Sequence, residues 1–299
     1  MLRIICGPTG AGKSAVAMAI AERHGLTIVS ADSRQIYRGF DVGTSKPTAA
    51  DRGRVPHLGI DVADPHERWS AARWADDAAR WIDDAGPDRV LVVGGTGLYL
   101  KALTAPFFDE PALDPAQRVS LAAALDTLSV PALRSWVERL DPQRAHLGRT
   151  QLLRAVEVAL LTGRRLSDLH QEAARPPRYS ARWLVVDTGA GLEARISARL
   201  DAMLAGGWIE EARTLAANVP VEAPAWQACG YAAVRTLALG AAEPASVRTT
   251  ILVETRQYAK RQRTWFRNQL AGADVTRLDP RAPGAGAAAD AWWRSEDGT

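Results

Sequence analysis

Gly7-Pro8-Thr9-Gly10-Ala11-Gly12-Lys13-Ser14 (GPTGAGKS) is the stretch that decides the fold of this chain. It matches the phosphate-loop template G-x-x-x-x-G-K-[ST] at every fixed position. A short apolar run of strand type, Leu2 to Cys6, precedes it, and Lys13 to Arg23 follows with helical spacing. A strand, a glycine loop and a helix N-terminus together present backbone N–H groups to an anion, and the helix dipole favours negative charge there. The sequence therefore predicts a bound phosphate chain, with Lys13 on its outer phosphate and Ser14 on Mg²⁺.

The composition is ordinary for a soluble globular protein. The 299 residues are 47% hydrophobic and 24% charged, and the formal net charge is +3. No apolar run approaches the length of a bilayer, and the N-terminus lacks a signal-peptide pattern, so we expect no membrane association. The two cysteines, Cys6 and Cys229, have neither metal-ligand spacing nor a disulfide framework, which favours a cytoplasmic protein.

Strands and helices alternate along the first hundred residues. Thr27 to Ser30 and Arg89 to Val93 have the apolar character of buried strands, and Trp183 to Asp187 has the pattern of a strand that returns to the same sheet. This alternation predicts an α/β fold, a doubly wound parallel sheet of the P-loop NTPase-like kind. Asp32 follows the second of these strands at the ligand-binding edge. Its carboxylate either contacts a ligand or caps the next turn, and position alone leaves both interpretations open.

A second glycine turn, Gly94-Gly95-Thr96-Gly97, follows the strand that ends at Val93. This turn also belongs at the ligand-binding edge. The strand has no terminal Asp or Glu of the kind that holds metal in nucleotide-hydrolysing P-loop proteins. Its absence argues against a nucleotide-driven motor.

The pattern changes after about Phe107. Residues 109–148 contain several prolines and amphipathic helices but no convincing strand, and we interpret them as a small helical insertion domain. Residues 1–108 and 149–279 then form the P-loop core with its C-terminal helices. Residues 280–299 are rich in Gly and Ala, and we expect them to form a loose tail.

Two predicted helices carry arginines along one side. Arg195 and Arg199 are four residues apart and share a face. On the helix from about Ser246 to Leu270, basic residues recur along one side with aromatic residues between them. Such a surface is typical of nucleic-acid binding, whereas a solvated face above an aromatic core is the alternative interpretation.

Several motifs together resemble the bacterial tRNA dimethylallyltransferase family, also called tRNA isopentenyltransferases. In order they are GPTGAGKS, SADSRQIYRGFDVGTSKP, VGGTGLYLKAL, RAVEV, the CGY at 229–231 and TRQYAKRQRTWFR, and they span most of residues 1–270. The chain departs from the family pattern at Arg149-Thr150-Gln151, at Gln227 and at Ala232. These departures concern individual tRNA contacts rather than the chemistry.

The resemblance implies transfer of a dimethylallyl group from dimethylallyl diphosphate to N6 of the adenosine 3′-adjacent to the anticodon. The diphosphate would occupy the loop from Gly7 to Ser14, with Mg²⁺ on Ser14. Asp32 would accept the N6 proton as the general base. Thr96 would lie near both the diphosphate and the adenine, and either Arg195 or Arg199 would supply a second cation.

The resemblance also implies that the anticodon stem-loop of tRNA is held while the adenine is extruded from the stack. The residues that would contact the tRNA lie beside the general base, in and after the insertion, and on the basic helix. They are Asp32, Ser33, Arg34, Gln35, Thr96, Arg118, Gln151, Arg154, Gln227, Lys260, Arg261, Gln262, Arg263, Trp265 and Arg267. Nothing in the sequence requires more than a monomer.

Two other functions are consistent with parts of the sequence. A P-loop kinase acting on a nucleotide or small metabolite would bind ATP and transfer a phosphoryl group without tRNA. A non-catalytic RNA-binding protein of the same fold would bind tRNA without turnover, and would do so equally well after the change Asp32→Ala.

Overall fold

The computed structural model describes residues 1–108, 111, 113–172, 174–271 and 274–295. By the proximity of Cα atoms the chain divides into two compact units. The first comprises Met1–Thr104 together with the chain from Arg178 onward, and the second comprises Ala105–Pro177. The predicted insertion, 109–148, falls inside the second unit, which extends beyond it at both ends. Residues 109 and 110, where the predicted insertion begins, lie outside the described residues.

The secondary structure follows the predicted alternation in the first unit. The strands are β1 (Leu2–Cys6), β2 (Thr27–Ser30), β3 (His57–Leu58), β4 (Val90–Gly94), β5 (Phe107–Phe108), β6 (Ala174–Arg175), β7 (Ala181–Val186) and β8 (Val275–Leu278). The α-helices are α1 (Lys13–His24), α2 (Ala49–Arg54), α3 (Ala71–Ala85), α4 (Gly97–Thr104), α5 (Pro115–Asp126), α6 (Val130–Leu140), α7 (Arg149–Thr162), α8 (Leu166–Glu172), α9 (Leu192–Ala205), α10 (Trp208–Asn218), α11 (Tyr231–Ala238), α12 (Pro244–Gln269) and α13 (Ala285–Arg294).

Parallel strands of the first unit form one sheet, which among the described residues has the order β3-β2-β4-β1-β7-β8. β1 lies between β4 and β7, with Ile4 paired to Val92 on one side and to Trp183 on the other. The chain leaves β1 towards one half of the sheet and enters the other half at β7, so the loop after β1 lies at the topological switch point, where α/β proteins bind ligands. The predicted doubly wound parallel sheet is confirmed.

Apolar side chains fix the helices against this sheet. Ile5, Leu91 and Leu184, from three neighbouring strands, belong to one buried cluster with Ile20 of α1. Side chains alternate across a strand, so the intervening residues face the opposite side of the sheet. On α3 the buried Trp74 donates from Nε1 to the Ser30 carbonyl over 3.1 Å. This bond fixes the carboxyl end of β2, from which the chain continues to Asp32.

The chain after Pro280 differs from the expected loose tail, because α13 packs against the first unit. Trp292 and Trp293 are 5% and 8% exposed and belong to the same buried cluster as α1. Asp290, 2% exposed, lies 2.7 Å from the His24 Nε2 atom and 3.1 Å from the Arg23 guanidinium. Burial of two indoles and a paired carboxylate outweighs the Gly- and Ala-rich composition that suggested disorder. Residues 296–299 lie outside the described residues.

The second unit has a helical core of its own. Leu133 and Val137 of α6 are fully buried with Leu152 and Val156 of α7, and Leu125 of α5 joins them. Because α7 completes this core, the unit continues past residue 148. The short antiparallel pair β5–β6 also belongs to it, and the sequence pattern did not reveal these strands.

Candidate active site

The phosphate loop joins β1 to α1 in the geometry that its glycines require. Gly7 has φ +141°, and a Cβ atom there would lie 2.1 Å from the Val186 carbonyl oxygen, so any larger residue would displace β7. Gly12, with φ +98°, precedes α1 and offers no side chain to cap it. The first N–H groups of α1 are therefore left without a capping side chain, and an anion can accept hydrogen bonds from them.

Two cations lie at this loop. Lys13 Nζ donates to the Pro8 carbonyl over 2.9 Å, and Arg199 Nη1 donates to Thr9 Oγ1 over 2.9 Å. Burial and the nearby Arg199 lower the pKa of Lys13 to about 8, and burial also lowers the pKa of Arg199. In the described part of the chain neither cation forms an ion pair with a carboxylate. Two partly buried positive charges without such a partner are a strong attraction for a polyanion.

The structure distinguishes the two arginines of α9. Arg199 also donates from Nε to Ser45 Oγ over 3.0 Å, and it is near enough to Asp32 for that carboxylate to act on its pKa. Arg195 is exposed and donates from Nε to the Gly10 carbonyl over 2.8 Å. Both arginines line the cleft, but Arg195 is exposed and bonded to the loop backbone, whereas Arg199 is half-buried and bonded to side chains of the cleft.

The loops after the neighbouring strands β2 and β4 bring Asp32 and Thr96 together. Asp32 Oδ1 accepts hydrogen bonds from the backbone N–H of Arg34 over 2.8 Å and of Gln35 over 3.4 Å, which orients the carboxylate. Thr96 Oγ1 accepts from the Ser33 backbone N–H over 3.0 Å. Among the described residues no donor bonds the other carboxylate oxygen, Asp32 Oδ2. The carboxylate is fixed at one oxygen and able to accept a proton at the other.

Gln262, in the C-terminal half of α12, connects the phosphate loop to the second glycine turn. Its Oε1 accepts from the Thr9 backbone N–H over 2.8 Å, and its Nε2 donates to the Gly95 carbonyl over 2.9 Å. The residue is 7% exposed. Both ends of its amide are engaged inside the protein, so the structure gives Gln262 a role in holding the site together, in place of the surface position expected of a tRNA contact.

The anion cleft opens into an apolar pocket. The cleft is lined by the phosphate loop, Asp32, Arg195, Arg199 and Gln262. The pocket is lined mainly by Ile196, Leu200, Met203, Trp208, Ala228, Cys229 and Ile251, and it also reaches Asp32, Arg34, Arg199 and Thr255. Cys229 and Tyr258 of this site, together with the apolar lining, were missed as site residues by sequence reasoning. The CGY motif and the tyrosine in TRQYAKRQ were signals that could have identified the first two.

Three side chains next to Asp32 were predicted to hold the extruded base. Ser33 is bonded to Thr96 through its backbone, and Arg34 Nη1 lies 3.5 Å from the Pro224 carbonyl. Gln35 donates from Nε2 to the Thr44 and Ser45 carbonyls over 3.2 and 3.1 Å. The amide of Gln35 therefore fixes the neighbouring loop. Of the three, Arg34 lines the apolar pocket and Gln35 the anion cleft.

The basic helix is divided between solvent and the protein interior. Lys260, Arg261 and Arg267 are exposed, as is Gln227 on its loop. Arg263 instead donates to both carboxylate oxygens of Asp187, from Nε over 2.8 Å. The Trp265 ring is half-buried, and a Cβ atom on Gly97 would lie 2.4 Å from it. The spacing of charges in the sequence did not distinguish the exposed residues of this helix from those that pack against the protein.

The remaining predicted tRNA contacts lie in the second unit. Arg118 and Arg154 both contact Glu157 Oε2, over 3.3 and 2.9 Å. Gln151 is exposed, and its Oε1 accepts from the Gly148 backbone N–H at the start of α7. Gln151 and Arg154 lie on α7, where Gln151 caps the N-terminus, and Arg118 contacts the same helix through Glu157.

The fold and the site define a class of protein: a phosphate-loop α/β protein whose anion cleft continues into an apolar pocket beside a carboxylate. Its β4 strand ends at Gly94 without an acidic residue. This combination suits a ligand with a charged phosphate half and an apolar half.

Comparison with known proteins agrees with this class. The IPP transferase family model matches residues 35–269, and the isopentenyl transferase model matches residues 1–55. A tRNA dimethylallyltransferase of Anaeromyxobacter sp. (strain Fw109-5) is 44% identical over 276 residues, covering 90% of this chain and 92% of that protein. One from Halorhodospira halophila is 42% identical over 286 residues, covering 92% of each chain. The chain belongs to the IPP transferase family.

Solved structures lead to the same family. The tRNA delta(2)-isopentenylpyrophosphate transferase of Staphylococcus epidermidis aligns over 94% of both chains, with a TM-score of 0.64 and 29% identity. The full-length tRNA isopentenylpyrophosphate transferase of Bacillus halodurans aligns over 93% of this chain and 89% of its own, with a TM-score of 0.63 and 32% identity. Among the described residues, no helix has the length and apolar character needed to span a membrane.

Proposed function

We propose that this chain transfers a dimethylallyl group from dimethylallyl diphosphate to N6 of the adenosine 3′-adjacent to the anticodon in tRNA, releasing diphosphate. The observation that carries the proposal is the continuity of the anion cleft with the apolar pocket, since both are lined by Thr9, Asp32 and Arg199. A diphosphate joined to a five-carbon hydrocarbon has those two halves. The names of the relatives, tRNA dimethylallyltransferases, support the donor and the tRNA acceptor.

The leaving group accounts for the positive side of the cleft. When the allylic C–O bond breaks, its electron pair goes to the diphosphate and positive charge develops on carbon. The N–H groups of the loop from Gly10 to Ser14, with Lys13 and Arg199, would stabilise the added negative charge. Arg199 is our choice for the second cation, because it is half-buried and close to Asp32, whereas Arg195, which lines the same cleft, is exposed.

Asp32 would serve as the general base. The lone pair of N6 forms the new N–C bond, and the proton that N6 loses would pass to Asp32 Oδ2, while Oδ1 stays bonded to the Arg34 and Gln35 N–H groups. Thr96, bonded to the backbone N–H of Ser33, would orient the incoming adenine. General-base catalysis of this kind contributes about 10²–10⁴-fold in rate.

The donor atoms of the cleft suit Mg²⁺. The Ser14 hydroxyl supplies an oxygen ligand at the phosphate loop, and the described residues contain no cluster of three or more His, Cys, Asp or Glu side chains that could hold a metal ion. A cation that keeps most of its waters and binds phosphate oxygens needs only one or two protein ligands. When bound, Mg²⁺ would withdraw charge from the leaving diphosphate.

The anticodon stem-loop would be held by exposed cations and by the second unit. Lys260, Arg261 and Arg267 are exposed on α12, and the Arg261 guanidinium lies 5.8 Å from the centroid of the Tyr258 ring, which lines the cleft. The second unit, with Arg118, Gln151 and Arg154, is the proposed clamp on the stem. We propose that the enzyme works as a monomer in the cytoplasm, where its two cysteines, both free, stay reduced.

The proposal is tested by incubating the purified protein with Mg²⁺, labelled dimethylallyl diphosphate and unmodified tRNA, without ATP. We expect label in the RNA at the adenosine beside the anticodon. Transfer that depends on ATP, or phosphoryl transfer to a small molecule, would favour a kinase instead. Tight tRNA binding with no turnover under any condition would leave the protein as an RNA-binding module.

A further inference from the structure

One aromatic side chain lies where the anion cleft meets the apolar pocket. The residues that line both spaces are Thr9, Gly10, Asp32, Thr44, Arg199 and Tyr258, and we refer to them as the junction. An allyl diphosphate bound with its phosphates in the cleft and its hydrocarbon in the pocket has its reacting carbon at the junction. Tyr258 is the aromatic member of this set; sequence reasoning counted it among the aromatic residues of the basic helix and gave it no part in the chemistry.

The position of Tyr258 is fixed by its neighbours. The residue is half-buried on α12, and its phenol is near enough to the Thr96 side chain for that hydroxyl to act on its pKa. Burial, with a smaller effect of the Asp32 charge, raises its pKa, so the phenol stays neutral. One turn further along α12, Gln262 ties the helix to the phosphate loop and to Gly95. The ring is therefore held by the same elements that build the cleft.

The junction has little else that can oppose positive charge on carbon. Arg199 is itself a cation, and Thr9 is already bonded to Arg199 through its hydroxyl. Asp32 is negative, but the proposed reaction uses its free oxygen for the N6 proton. The face of an aromatic ring carries negative electrostatic potential and attracts a cation within about 6 Å, most strongly when both are shielded from water.

We propose that the π face of Tyr258 stabilises the positive charge that develops on the allylic carbon of the donor. The inference rests on the proposed function and adds a catalytic residue to it. Tyr258 forms and breaks no bond: the C–O electron pair leaves with the diphosphate, the N6 lone pair forms the new bond, and the proton goes to Asp32. Its contribution is electrostatic and acts on the rate of the chemical step.

Two other roles for the same side chain make different predictions. The hydroxyl could act only by positioning Thr96, in which case Tyr258→Phe would impair the enzyme as much as Tyr258→Leu. Alternatively the ring could serve the RNA side, because the Arg261 guanidinium lies 5.8 Å from its centroid. That role would change the affinity for tRNA and leave the rate of transfer at saturating tRNA unaltered.

The experiment compares single-turnover transfer rates, at saturating tRNA and donor, for variants that keep the size of the ring. Tyr258→Phe is followed by replacement with mono-, di- and trifluorinated phenylalanine, which progressively withdraws electron density from the ring. We expect Tyr258→Phe to stay within about threefold of wild type, the fluorinated series to fall stepwise, and Tyr258→Leu to be slower by about tenfold or more. Affinity for the unreactive thio-linked analogue of the donor, in which sulfur replaces the bridging oxygen, should change less than threefold across the series.

A flat rate across the fluorinated series would overturn the inference, as would equal losses in Tyr258→Phe and Tyr258→Leu. Thermal unfolding of each variant separates loss of folding from loss of rate. The wild-type rate is the control for the function itself. If the wild type transfers no dimethylallyl group, the proposed function fails, whereas normal wild-type transfer with a flat series rejects the role of Tyr258 alone.

Discussion

The backbone N–H of Thr9 donates to Oε1 of Gln262 over 2.8 Å, although the two residues are 253 positions apart in the sequence. The Nε2 atom of the Gln262 side chain donates to the Gly95 carbonyl. This one buried side chain therefore fixes the relative positions of the phosphate loop and the second glycine turn. Preorganisation of this kind matters because the loop must meet the charge of a leaving group with its N–H groups already in place.

Replacement of the Gln262 side chain should lower both the stability of the fold and the affinity of the site for the donor. Gln262→Leu leaves the Thr9 N–H and the Gly95 carbonyl without their partner, and a buried polar group left unsatisfied costs about 1–3 kcal/mol. We expect that loss in the free energy of unfolding by urea, along with weaker binding of dimethylallyl diphosphate. Gln257→Leu is the matched control, because Gln257 is exposed on the same helix. Equal stability of the two variants would show that the bridge contributes nothing.

Asp32→Asn separates chemistry from binding. The amide preserves the shape of the side chain but cannot take the N6 proton, so we expect the single-turnover rate of transfer to fall at least ~10²-fold. Affinities for the donor and for tRNA should stay within a few-fold of wild type. Asp88→Asn, at an exposed position, serves as the control and should transfer at the wild-type rate. A rapid-quench assay with labelled donor makes the comparison, and full activity of Asp32→Asn would exclude Asp32 as the base.

The two arginines of α9 should differ in their effect on the donor. Arg199→Gln removes a partly buried cation from the cleft, and we expect kcat/KM for dimethylallyl diphosphate to fall at least ~10-fold. Arg195→Gln removes an exposed brace on the Gly10 carbonyl, and we expect less than a threefold change. Steady-state kinetics with varied donor at saturating tRNA distinguish them. The reverse order of effects would move the second cation to Arg195.

The affinity for the donor should depend on pH through Lys13. Its pKa is lowered to about 8 by burial and by Arg199, so the ammonium is present below pH 8 and loses its proton as the pH rises through that value. Binding of a diphosphate needs the charged form, and we expect the affinity in calorimetric titrations to be about tenfold weaker at pH 9 than at pH 7. Lys13→Arg stays charged and should give a flat profile over the same range. A flat profile in the wild-type protein would contradict the prediction.

The exposed part of the basic helix should govern the salt dependence of tRNA binding. Lys260→Ala removes an exposed charge, and loss of one phosphate contact lowers the slope of log K against log salt by about 0.7–0.9. Arg263→Ala instead breaks a pair with Asp187, so we expect it to lower thermal stability and to change the slope less. Filter binding at several salt concentrations measures the slopes. Identical slopes in Lys260→Ala and wild type would show that Lys260 makes no phosphate contact with the tRNA.

Sequence reasoning succeeded where a short pattern has one structural solution. The phosphate-loop motif predicts a strand before it and a helix after it, and the short apolar run from Val90 to Val93, followed by glycines, is typical of a buried strand. Sequence reasoning failed where the orientation of a side chain depends on residues far away in the sequence. The spacing of residues on α12 predicts one basic side, but the inward orientation of Gln262 depends on a loop 253 positions away. Likewise, Gly and Ala in α13 suggested disorder because the sheet that buries its two tryptophans cannot be seen from the tail itself.

The central position of β1 has a consequence for how this protein is made. β1 is complete at Cys6, whereas the second of its two neighbouring strands ends at Val186. At translation rates of about 5–20 residues per second, roughly ten to forty seconds separate these two events. During this time at least one edge of β1 has no neighbouring strand to pair with. The strand that leads into the phosphate loop is therefore exposed to non-native pairing, and to binding by chaperones, while the rest of the chain is still being synthesised.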